Sequence, residues 1–526
     1  MSRTLHNISV ELNEDLSEKL KWMFPEHVDF QILKESVDAR SRKKAPHFNY
    51  SVQLFDKGED PSPPIINPTK LNYSGPPLLI VGAGPAGLFA ALRAVERGIP
   101  CHIFERGSRA EERIKKINKF WRKGELSPND NVCFGEGGAG LYSDGKLITR
   151  IKSPHIPYVL QRLVQFGAPP EIEYLSNPHV GSDRLRRVIV PLRKRIEELG
   201  GQFHFNSPVV EFISSNKQME GLITEKGETF RSPHILLATG HSANDIFEVL
   251  ERHDVFMEPK DFAMGLRVEH KQQWVNKKQY KQAWDHPKLG AANYKLAHTD
   301  KSSGIGVYSF CMCPGGYVLS SGTESDGLVC NGMSNYRRNS PFANSALVVS
   351  VKHSSNAPLM HGMEMRRALE KSAYESVQNA GGTKQLPAQR LTDFLEGKLG
   401  PMEKTSSPSG VVPVRLDELL PESITRNLAA GIAKFEEKMN GFICSEATLI
   451  GVESRTSCPI RITRNSESFQ SISHQGLYPL GEGAGYAGGI TSAACDGIRV
   501  VDKIIESLAT TSEQDLPTLS THVESP

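Results

Sequence analysis

The 526-residue sequence has no apolar run of the roughly 18 residues that a membrane-spanning helix needs. It has no long block of lysine and arginine and a formal net charge of only +2, so neither nucleic acid nor an anionic membrane is indicated as a partner. Its eight cysteines are irregularly spaced, which does not suggest a disulfide scaffold. The opening residues, MSRTLHNISVELNED, lack the apolar core of a signal peptide. We therefore predict a cytoplasmic protein.

The stretch PPLLIVGAGPAGLFAALRAVERGIPCHIFER, residues 76–106, has the pattern of a βαβ unit that binds a dinucleotide. An apolar strand, 78–81, is followed by a glycine-rich turn and then by an amphipathic helix. In that turn Gly82 permits the tight bend, Gly84 lets a pyrophosphate approach the backbone, and Gly87 lets the helix pack closely on the strand. The helix start directs free N–H groups at the phosphates.

An acidic residue follows the second strand of this unit. Glu105 stands directly after the strand 101–104, where a carboxylate accepts the hydroxyls of an adenosine ribose. A 2′-phosphate would be repelled there, which favours FAD or NAD over NADP. The adjacent Arg106 weakens that preference.

Two further segments are unusually rich in glycine: NVCFGEGGAGLYSDGKL at 131–147 and GLYPLGEGAGYAGGITSAACDGIRVVDKI at 476–504. So many glycines are costly to order, so we interpret both segments as backbone cradles around a cofactor. A helix predicted from about Thr491 would stabilise negative charge on a reduced flavin. No second strand–GxGxxG–helix unit occurs, so we predict no tight, separate NAD(P)H site.

These segments divide the chain, together with the proline-rich stretch PSPPIINPTK at 61–70. We predict an α/β protein with a small N-terminal α/β module over 1–70. A Rossmann-like FAD/NAD(P)-binding domain begins over 71–255 and is completed by 441–526. An inserted mixed α/β substrate domain occupies 256–440.

Six strings carry a resemblance to a known family: VGAGPAGLFAAL, FGEGGAG…SDGKL, GHSANDIFE, FCMCPGGYV, ESRTSCPIRI and LGEGAGYAGGITSAACDGIR. Over nearly its whole length the chain resembles the uncharacterised FAD-dependent dehydrogenases of bacteria and plastid-bearing eukaryotes, sometimes called NAD(FAD)-utilizing dehydrogenases. The resemblance implies a glutathione-reductase-type FAD domain, FAD as the cofactor, and a small-molecule substrate that the family does not identify.

Carried over by position, the resemblance also implies a set of FAD-binding residues. Gly82, Gly84 and Gly87 would hold the pyrophosphate and Glu105 the adenosine ribose. Residues 137–140 would line the FAD, Val209 or Val210 would meet the adenine, and the last seven residues of the set would surround the ribityl chain and isoalloxazine. The set is Gly82, Gly84, Pro85, Ala86, Gly87, Glu105, Arg106, Gly137, Gly138, Ala139, Gly140, Val209, Val210, Thr239, Gly240, Gly481, Glu482, Gly483, Ala484, Gly488, Gly489 and Ile490.

Candidates for the chemistry itself are fewer. Cys311 and Cys313 in FCMCPGGYV would point to one face of a strand, either as a reactive thiol pair near the flavin or as buried packing residues. His241 could be a general acid or a structural histidine. Arg455 and Arg461 could clamp an anionic substrate or pair with interior carboxylates. No spacing predicts a metal site.

Two classes of function fit these features. One is an FAD-dependent oxidoreductase acting on a small molecule through hydride transfer at flavin N5, with NAD(P)H as a transient reductant. The other is a flavin-binding scaffold or redox sensor with little turnover, whose N-terminal module binds a partner. The enzyme needs an acid, base or thiol at the flavin, and the scaffold needs none.

Overall fold

A computed structural model of the chain describes residues 3–27, 29–41, 44–60, 65–354 and 356–514, the last six without their side chains. The first four residues of the predicted proline-rich linker, 61–64, lie outside the described residues. Among the described residues no helix is both long and apolar enough to cross a membrane.

The N-terminal residues form a small α/β unit, as the sequence predicts. Its elements are β1 (Arg3–Glu11), α1 (Leu16–Met23), β2 (Asp29–Asp38) and β3 (His47–Phe55). The three strands form an antiparallel sheet in the order β1-β3-β2. Helix α1 begins after Asp15, whose side chain accepts from the N–H of Glu18, and it buries Leu16 and Leu20 against the sheet.

The next part of the chain builds the dinucleotide-binding domain. Its elements are β4 (Leu78–Val81), α2 (Pro85–Glu96), β5 (Cys101–Phe104), α3 (Ala110–Lys123), α4 (Ile156–Gln165), α5 (Ser182–Glu198), β6 (Gly201–His204), β7 (Val209–Ser215), β8 (Gln218–Thr224), β9 (Thr229–Arg231), β10 (Ile235–Leu237) and α6 (Asn244–Arg252). Strands β4 and β5 have the bounds that the βαβ pattern predicts.

The inserted part follows. Its elements are β11 (Met257–Pro259), β12 (Phe262–Lys271), α7 (Gln272–Tyr280), β13 (Ala297–Thr299), β14 (Gly306–Cys313), β15 (Gly316–Ser320), β16 (Cys330–Ser334), β17 (Phe342–Val351), α8 (His361–Asn379), β18 (Leu386–Arg390), α9 (Leu391–Glu396), β19 (Val411–Pro413), α10 (Leu416–Leu419), α11 (Glu422–Lys438) and β20 (Thr448–Glu453). The chain then ends with β21 (Ile460–Ile462), β22 (Leu477–Pro479) and α12 (Ile490–Gln514).

A five-stranded parallel sheet forms the centre of the dinucleotide-binding domain, in the order β22-β10-β4-β5-β6. Helices α2, α5 and α12 bury their apolar faces in one layer against it. Helix α6 and the antiparallel sheet β7-β8-β9 contribute to a second apolar cluster with other residues of the central strands. Covering both faces in this way is typical of parallel sheets and explains why β4 and β10 are wholly apolar. Because β22 and α12 come from the C-terminal region, the chain returns to this domain, as predicted.

A seven-stranded sheet, in the order β13-β14-β17-β12-β20-β18-β19, forms the core of the inserted domain. The predicted boundary at residue 440 is wrong, because β20 lies in the interior of this sheet, between β12 and β18. The insertion therefore continues to residue 453. The short antiparallel pair β11 and β21 joins the two ends of the insertion beside the dinucleotide-binding domain.

Candidate functional site

The three glycines in the turn between β4 and α2 have different roles. A Cβ on Gly82, whose φ is +106°, would lie 2.4 Å from the carbonyl oxygen of Ala238, and one on Gly87 would lie 1.9 Å from the carbonyl oxygen of Gly82. Both glycines therefore permit backbone packing. A Cβ on Gly84 would meet only the Cα of Gly138, at 3.9 Å. Gly84 thus faces open space at the start of α2, as a pyrophosphate site requires.

Glu105 is buried at the end of β5 and holds the turn together. Its Oε2 accepts from the N–H of Ala83 at 2.9 Å, and its Oε1 accepts from the N–H groups of Gly107 and Gly135 at 2.9 and 2.8 Å. The sequence predicts only one partner for this carboxylate, the adenosine ribose. An ionised carboxylate has about four acceptor positions, so one position remains for a ribose hydroxyl, and that role stays a prediction.

Arg106 is engaged within the protein. Its Nη2 forms an ion pair with Oδ2 of Asp245 at 2.7 Å, and its guanidinium carbon lies 4.5 Å from the ring centre of Phe134. Because of these contacts, the guanidinium of Arg106 is already engaged, whereas the sequence left it available to a 2′-phosphate.

Arg113 holds the second glycine segment in place, and sequence reasoning missed it. The guanidinium is fully buried and donates to the carbonyl oxygens of five residues of this segment: Asn131, Val132, Gly135, Glu136 and Gly138. In the sequence, α3 reads as a solvated basic helix. The available signal is that Arg113 falls one turn before Ile117 on the apolar face of that helix.

The three glycine segments meet at one place. The N–H of Gly137 donates to the carbonyl oxygen of Ala83 at 2.8 Å, and a Cβ on Gly138 would lie 3.1 Å from the Cα of Gly84. On the C-terminal side, a Cβ on Gly481 would lie 2.9 Å from the Cβ of Ala86. The structure therefore brings together the residues that the sequence assigns to one cofactor site.

The C-terminal segment leaves its last glycines open. A Cβ on Gly483 would lie 2.5 Å from the carbonyl oxygen of Gly240, which joins this segment to the turn after β10. A Cβ on Gly240, Gly488 or Gly489 would meet no atom of the described residues within 4 Å. Helix α12 begins at Ile490, directly after that open stretch. We call residues 481–490 the glycine cradle.

Several other predicted FAD-binding residues occupy different environments. Val209 is buried and pairs with Thr224 in the β7-β8-β9 sheet, whereas the side chain of Val210 is 41% exposed. Thr239 and Gly240 are half-buried at the end of β10. Contact of the two valines and of Thr239 with the cofactor stays a prediction.

His241 and Glu482 lie together beside the glycine cradle, with Nε2 of the imidazole 3.6 Å from Oε1 of the carboxyl group. Burial, reinforced by the nearby Arg366 and Arg455, lowers the pKa of His241 to about 3. The imidazole is therefore neutral near pH 7, and the role of His241 as a general acid or a structural histidine stays a prediction. Burial raises the pKa of Glu482 to about 7, with a contribution from the charge of Cys311. Glu482 is the better-poised proton donor or acceptor.

Cys311 and Cys313 lie at a β-bulge, which the expected strand alternation did not include. The register of β14 against β17 shifts between Phe310 and Cys313, and Cys311 has a φ of +43°. Met312 and Cys313 are buried, and Cys311 is half-buried.

The two thiols differ strongly in acidity. A hydrogen bond from Cys313 lowers the pKa of Cys311 to about 6, and the cations Lys146 and Arg267 act in the same direction. The same hydrogen bond and burial raise the pKa of Cys313 well above its ordinary value. Lys146 is fixed by an ion pair with Asp144 at 3.1 Å and by donation to the carbonyl oxygen of Met312. Cys311 is therefore the more acidic of the two thiols.

The two predicted substrate-binding arginines differ. Arg455 pairs with Glu370, at 2.8 Å from Nε and 2.5 Å from Nη2, and donates from Nη1 to Thr323 at 2.9 Å. Pairing with an interior carboxylate, the second of the two expectations for this residue, describes its geometry. Arg461 lies with its guanidinium carbon 5.5 Å from the ring centre of Tyr486, and within the described residues its buried Nε has no partner.

A relative of nearly full length defines the family. The chain is 39% identical over 534 residues to an uncharacterised protein of Clostridium beijerinckii (strain ATCC 51743 / NCIMB 8052), covering 96% of this chain and 99% of that protein. The chain belongs to the same family as this clostridial protein. Residues 261–456 of this family member match the family model "FAD-dependent protein, C-terminal domain-like". FAD is the cofactor, in agreement with the converging glycine segments.

Solved structures with some similarity include three proteins. A flavin-dependent brominase is 11% identical, covering 83% of this chain and 80% of its own, with a TM-score of 0.37. A geranylgeranyl bacteriochlorophyll reductase-like protein of Thermoplasma acidophilum is 12% identical, covering 83% and 79%, with a TM-score of 0.35. A flavoprotein/dehydrogenase of Cytophaga hutchinsonii is 12% identical, covering 83% and 79%, with a TM-score of 0.34.

Proposed function

We propose that the protein is an FAD-dependent oxidoreductase with a glutathione-reductase-type FAD domain. In this proposal it exchanges a hydride between flavin N5 and a small molecule. The observation that carries the proposal is Glu482, which lies in the glycine cradle 3.6 Å from Nε2 of His241 with a pKa raised to about 7, together with Cys311, whose pKa is lowered. Such shifted groups cluster at active sites. A flavin-binding scaffold would gain nothing from them.

Bound FAD supplies the two-electron chemistry, and the chain supplies orientation and protons. The turn from Gly82 to Gly87 and the start of α2 would hold the pyrophosphate. The open positions at Gly488 and Gly489 would leave room for the isoalloxazine, and the N-terminus of α12 would stabilise negative charge on its pyrimidine side.

Glu482 would move the proton that accompanies the hydride. Oxidation of a substrate carbon needs a base to take a proton, and the reverse reaction needs an acid to give one. With a pKa of about 7, Glu482 is populated in both forms near neutrality and fits either role.

Cys311 influences that proton through its charge. The negative charge of Cys311 raises the pKa of Glu482, so the thiolate favours the protonated carboxyl group. The site would thus hold one nucleophilic sulfur and one acid at the same pH.

Anaerobic reduction of the purified holoprotein tests the proposal. The visible flavin absorbance is followed after mixing with NADH, NADPH, dithiothreitol and a panel of metabolites. At least one donor should bleach the flavin. Glu482→Gln and Cys311→Ser should retain FAD and slow the reduction. Cys444→Ser, which removes another half-buried thiol, should leave it unchanged.

Two results would reject the proposal. One is full FAD occupancy with no reduction by any donor, which would favour a scaffold or sensor. The other is a Cys311→Ser/Glu482→Gln double variant that is reduced as fast as the unaltered protein, because the groups that carry the proposal would then have no part in the reaction.

A further inference from the structure

Arg366 is a buried arginine that the proposed chemistry does not use. It lies on α8, and its side chain is among the largest fully buried ones of the chain. Its Nη2 donates to the carbonyl oxygen of His241 at 3.2 Å. Within the described residues, the buried Nε and Nη1 have no hydrogen-bond partner. Buried donors without partners are costly, so such a group calls for an explanation.

The nearest carboxylate is already used. Glu370, one turn further along α8, accepts at Oε1 from the hydroxyl of Ser454 at 2.5 Å and from Nε of Arg455 at 2.8 Å. Its Oε2 accepts from Nη2 of Arg455 at 2.5 Å. Burial and repulsion by Arg455 lower the pKa of Arg366. Two guanidinium groups thus share one carboxylate, and among the residues that the structure describes Arg366 is the one without a direct ion pair.

His241 connects this arginine to the glycine cradle. Its carbonyl oxygen contacts Arg366, its Nε2 faces Glu482 at 3.6 Å, and within the described residues its buried Nδ1 has no partner. The carbonyl oxygen of the preceding Gly240 lies 2.5 Å from the position of a Cβ on Gly483. The guanidinium of Arg366 is therefore connected to the glycine cradle through the backbone of Gly240 and His241.

We propose that Arg366 and the Nδ1–H of His241 bind an oxyanion of the substrate, either a carboxylate or a phosphate group. The substrate of the proposed oxidoreductase would accordingly be an anion, and this inference rests on that function. Arginine suits both groups because it donates several charge-assisted hydrogen bonds from a planar group.

Oxyanion binding would also determine which ring nitrogen of His241 carries the proton. A neutral imidazole carries one ring proton, and an anion that accepts from Nδ1–H leaves Nε2 as an acceptor. That acceptor faces the carboxyl group of Glu482. The bound substrate would therefore favour the protonated form of Glu482, which is the form that can give a proton to the reacting centre.

The pyrophosphate of FAD is the competing occupant. The residues expected to bind it lie at the start of α2, next to the five-stranded sheet, whereas Arg366 lies on α8 of the inserted domain. The two assignments differ in what loss of the arginine does. If Arg366 binds the substrate, its removal spares FAD, and if it binds the pyrophosphate, its removal releases FAD.

The test is an anion titration of the oxidised holoprotein. Inorganic phosphate and acetate are added separately at constant ionic strength, with chloride as the control, and the flavin spectrum is recorded. We expect one of the two to give a saturable shift, which also tells phosphate from carboxylate. Arg366→Met should weaken that binding by roughly tenfold or more and retain FAD, as expected for loss of a charged hydrogen bond.

Arg367→Met is the matched control. This neighbouring side chain on α8 is 62% exposed and pairs with Glu324 at 3.2 Å, so its removal should leave anion binding unchanged. Arg366→Lys keeps the charge but not the planar group, and it should bind with intermediate affinity. If Arg366→Met fails to fold, Arg366→Lys is tested in its place.

Three outcomes would overturn the inference: no saturable shift in the unaltered protein, unchanged anion binding in Arg366→Met or Arg366→Lys, or release of FAD from a folded variant. The titration uses no reductant, so it is independent of turnover. A holoprotein that binds the anion but is reduced by no donor rejects the proposed function alone. One that is reduced but binds neither anion rejects this inference alone.

Discussion

The sulfur of Cys313 lies 3.3 Å from the carbonyl oxygen of Cys311, two residues earlier on the same strand. The bulge at Cys311 brings these groups together, because its positive φ breaks the regular alternation of β14. One thiol is fully buried and the other is half-buried beside two cations. The strand thus carries two cysteines of the same chemistry and opposite acidity.

Cys311 should react with iodoacetamide as a thiolate at unusually low pH. Its pKa is lowered, so the rate should rise with a midpoint near pH 6 instead of about 8.5 for a free cysteine. Cys313→Ala removes the hydrogen-bond donor and should move the midpoint upward. Site-resolved mass spectrometry of the alkylated protein measures both midpoints.

Cys444 provides the comparison within the same sample. It is also half-buried, but burial raises its pKa, so its alkylation should increase only at alkaline pH. Equal midpoints for Cys311 and Cys444 would contradict the assignment of a thiolate.

Reduction of the flavin by a substrate that loses a proton should become faster as pH rises through about 7. The pKa of Glu482 is raised to about 7, so its carboxyl group loses its proton above that pH, and a general base works only while deprotonated. Glu482→Gln should lower the rate by roughly 100-fold or more and remove this pH dependence. Stopped-flow reduction between pH 5 and 9 measures both effects, and an unchanged profile in the variant would exclude Glu482 as the base.

Gly84→Val should fold and lose FAD. A Cβ at this position has no protein atom closer than 3.9 Å among the described residues, so the branched side chain would fill the space of the pyrophosphate without disturbing the protein. Absorbance and circular dichroism measure cofactor content and folding separately. The smaller Gly84→Ala should lose less cofactor, and full FAD occupancy in the valine variant would contradict the pyrophosphate assignment.

Arg113→Met should destabilise the protein by about 3–5 kcal/mol, the usual range for removing one partner of a buried charged network. Five carbonyl oxygens of the second glycine segment would lose their donor, so FAD should also bind more weakly. Chemical denaturation and FAD titration measure the two effects. Lys119→Met, on the exposed side of the same helix, should change neither.

NADH and NADPH should not bind tightly beside retained FAD, because the sequence holds one dinucleotide fingerprint. Isothermal titration of the oxidised holoprotein should detect only weak binding of either nucleotide. A tight site of unit stoichiometry with FAD still in place would contradict this expectation.

The backbone constraints of the site could be read from the sequence. A Cβ on Gly82 or Gly87 would overlap a backbone carbonyl oxygen, so both positions require glycine. The spacing of these glycines therefore predicts the turn and both flanking strands. The same reasoning grouped the segments at 131–147 and 476–504 correctly, because glycine density signals close backbone packing.

Side-chain partners could not be read in this way. Arg113 resembles a surface residue until α3 is placed against the second glycine segment. Glu105 accepts from three backbone N–H groups, two of which, those of Ala83 and Gly135, belong to distant segments. The bulge at Cys311 has no glycine or proline within residues 310–313 to indicate it. The boundary at 440 failed because β20 enters its sheet between strands that precede it in the chain.

The edge position of β22 and the packing of α12 against α2 affect the order of assembly during synthesis. The ribosome releases the dinucleotide turn early, but the wall formed by the glycine cradle leaves the exit tunnel only after the inserted domain. Until then the first four parallel strands lack their outer neighbour and α2 lacks its cover. The nascent chain can therefore complete its flavin pocket only after residues 476–504 have emerged, with the inserted domain already free to fold.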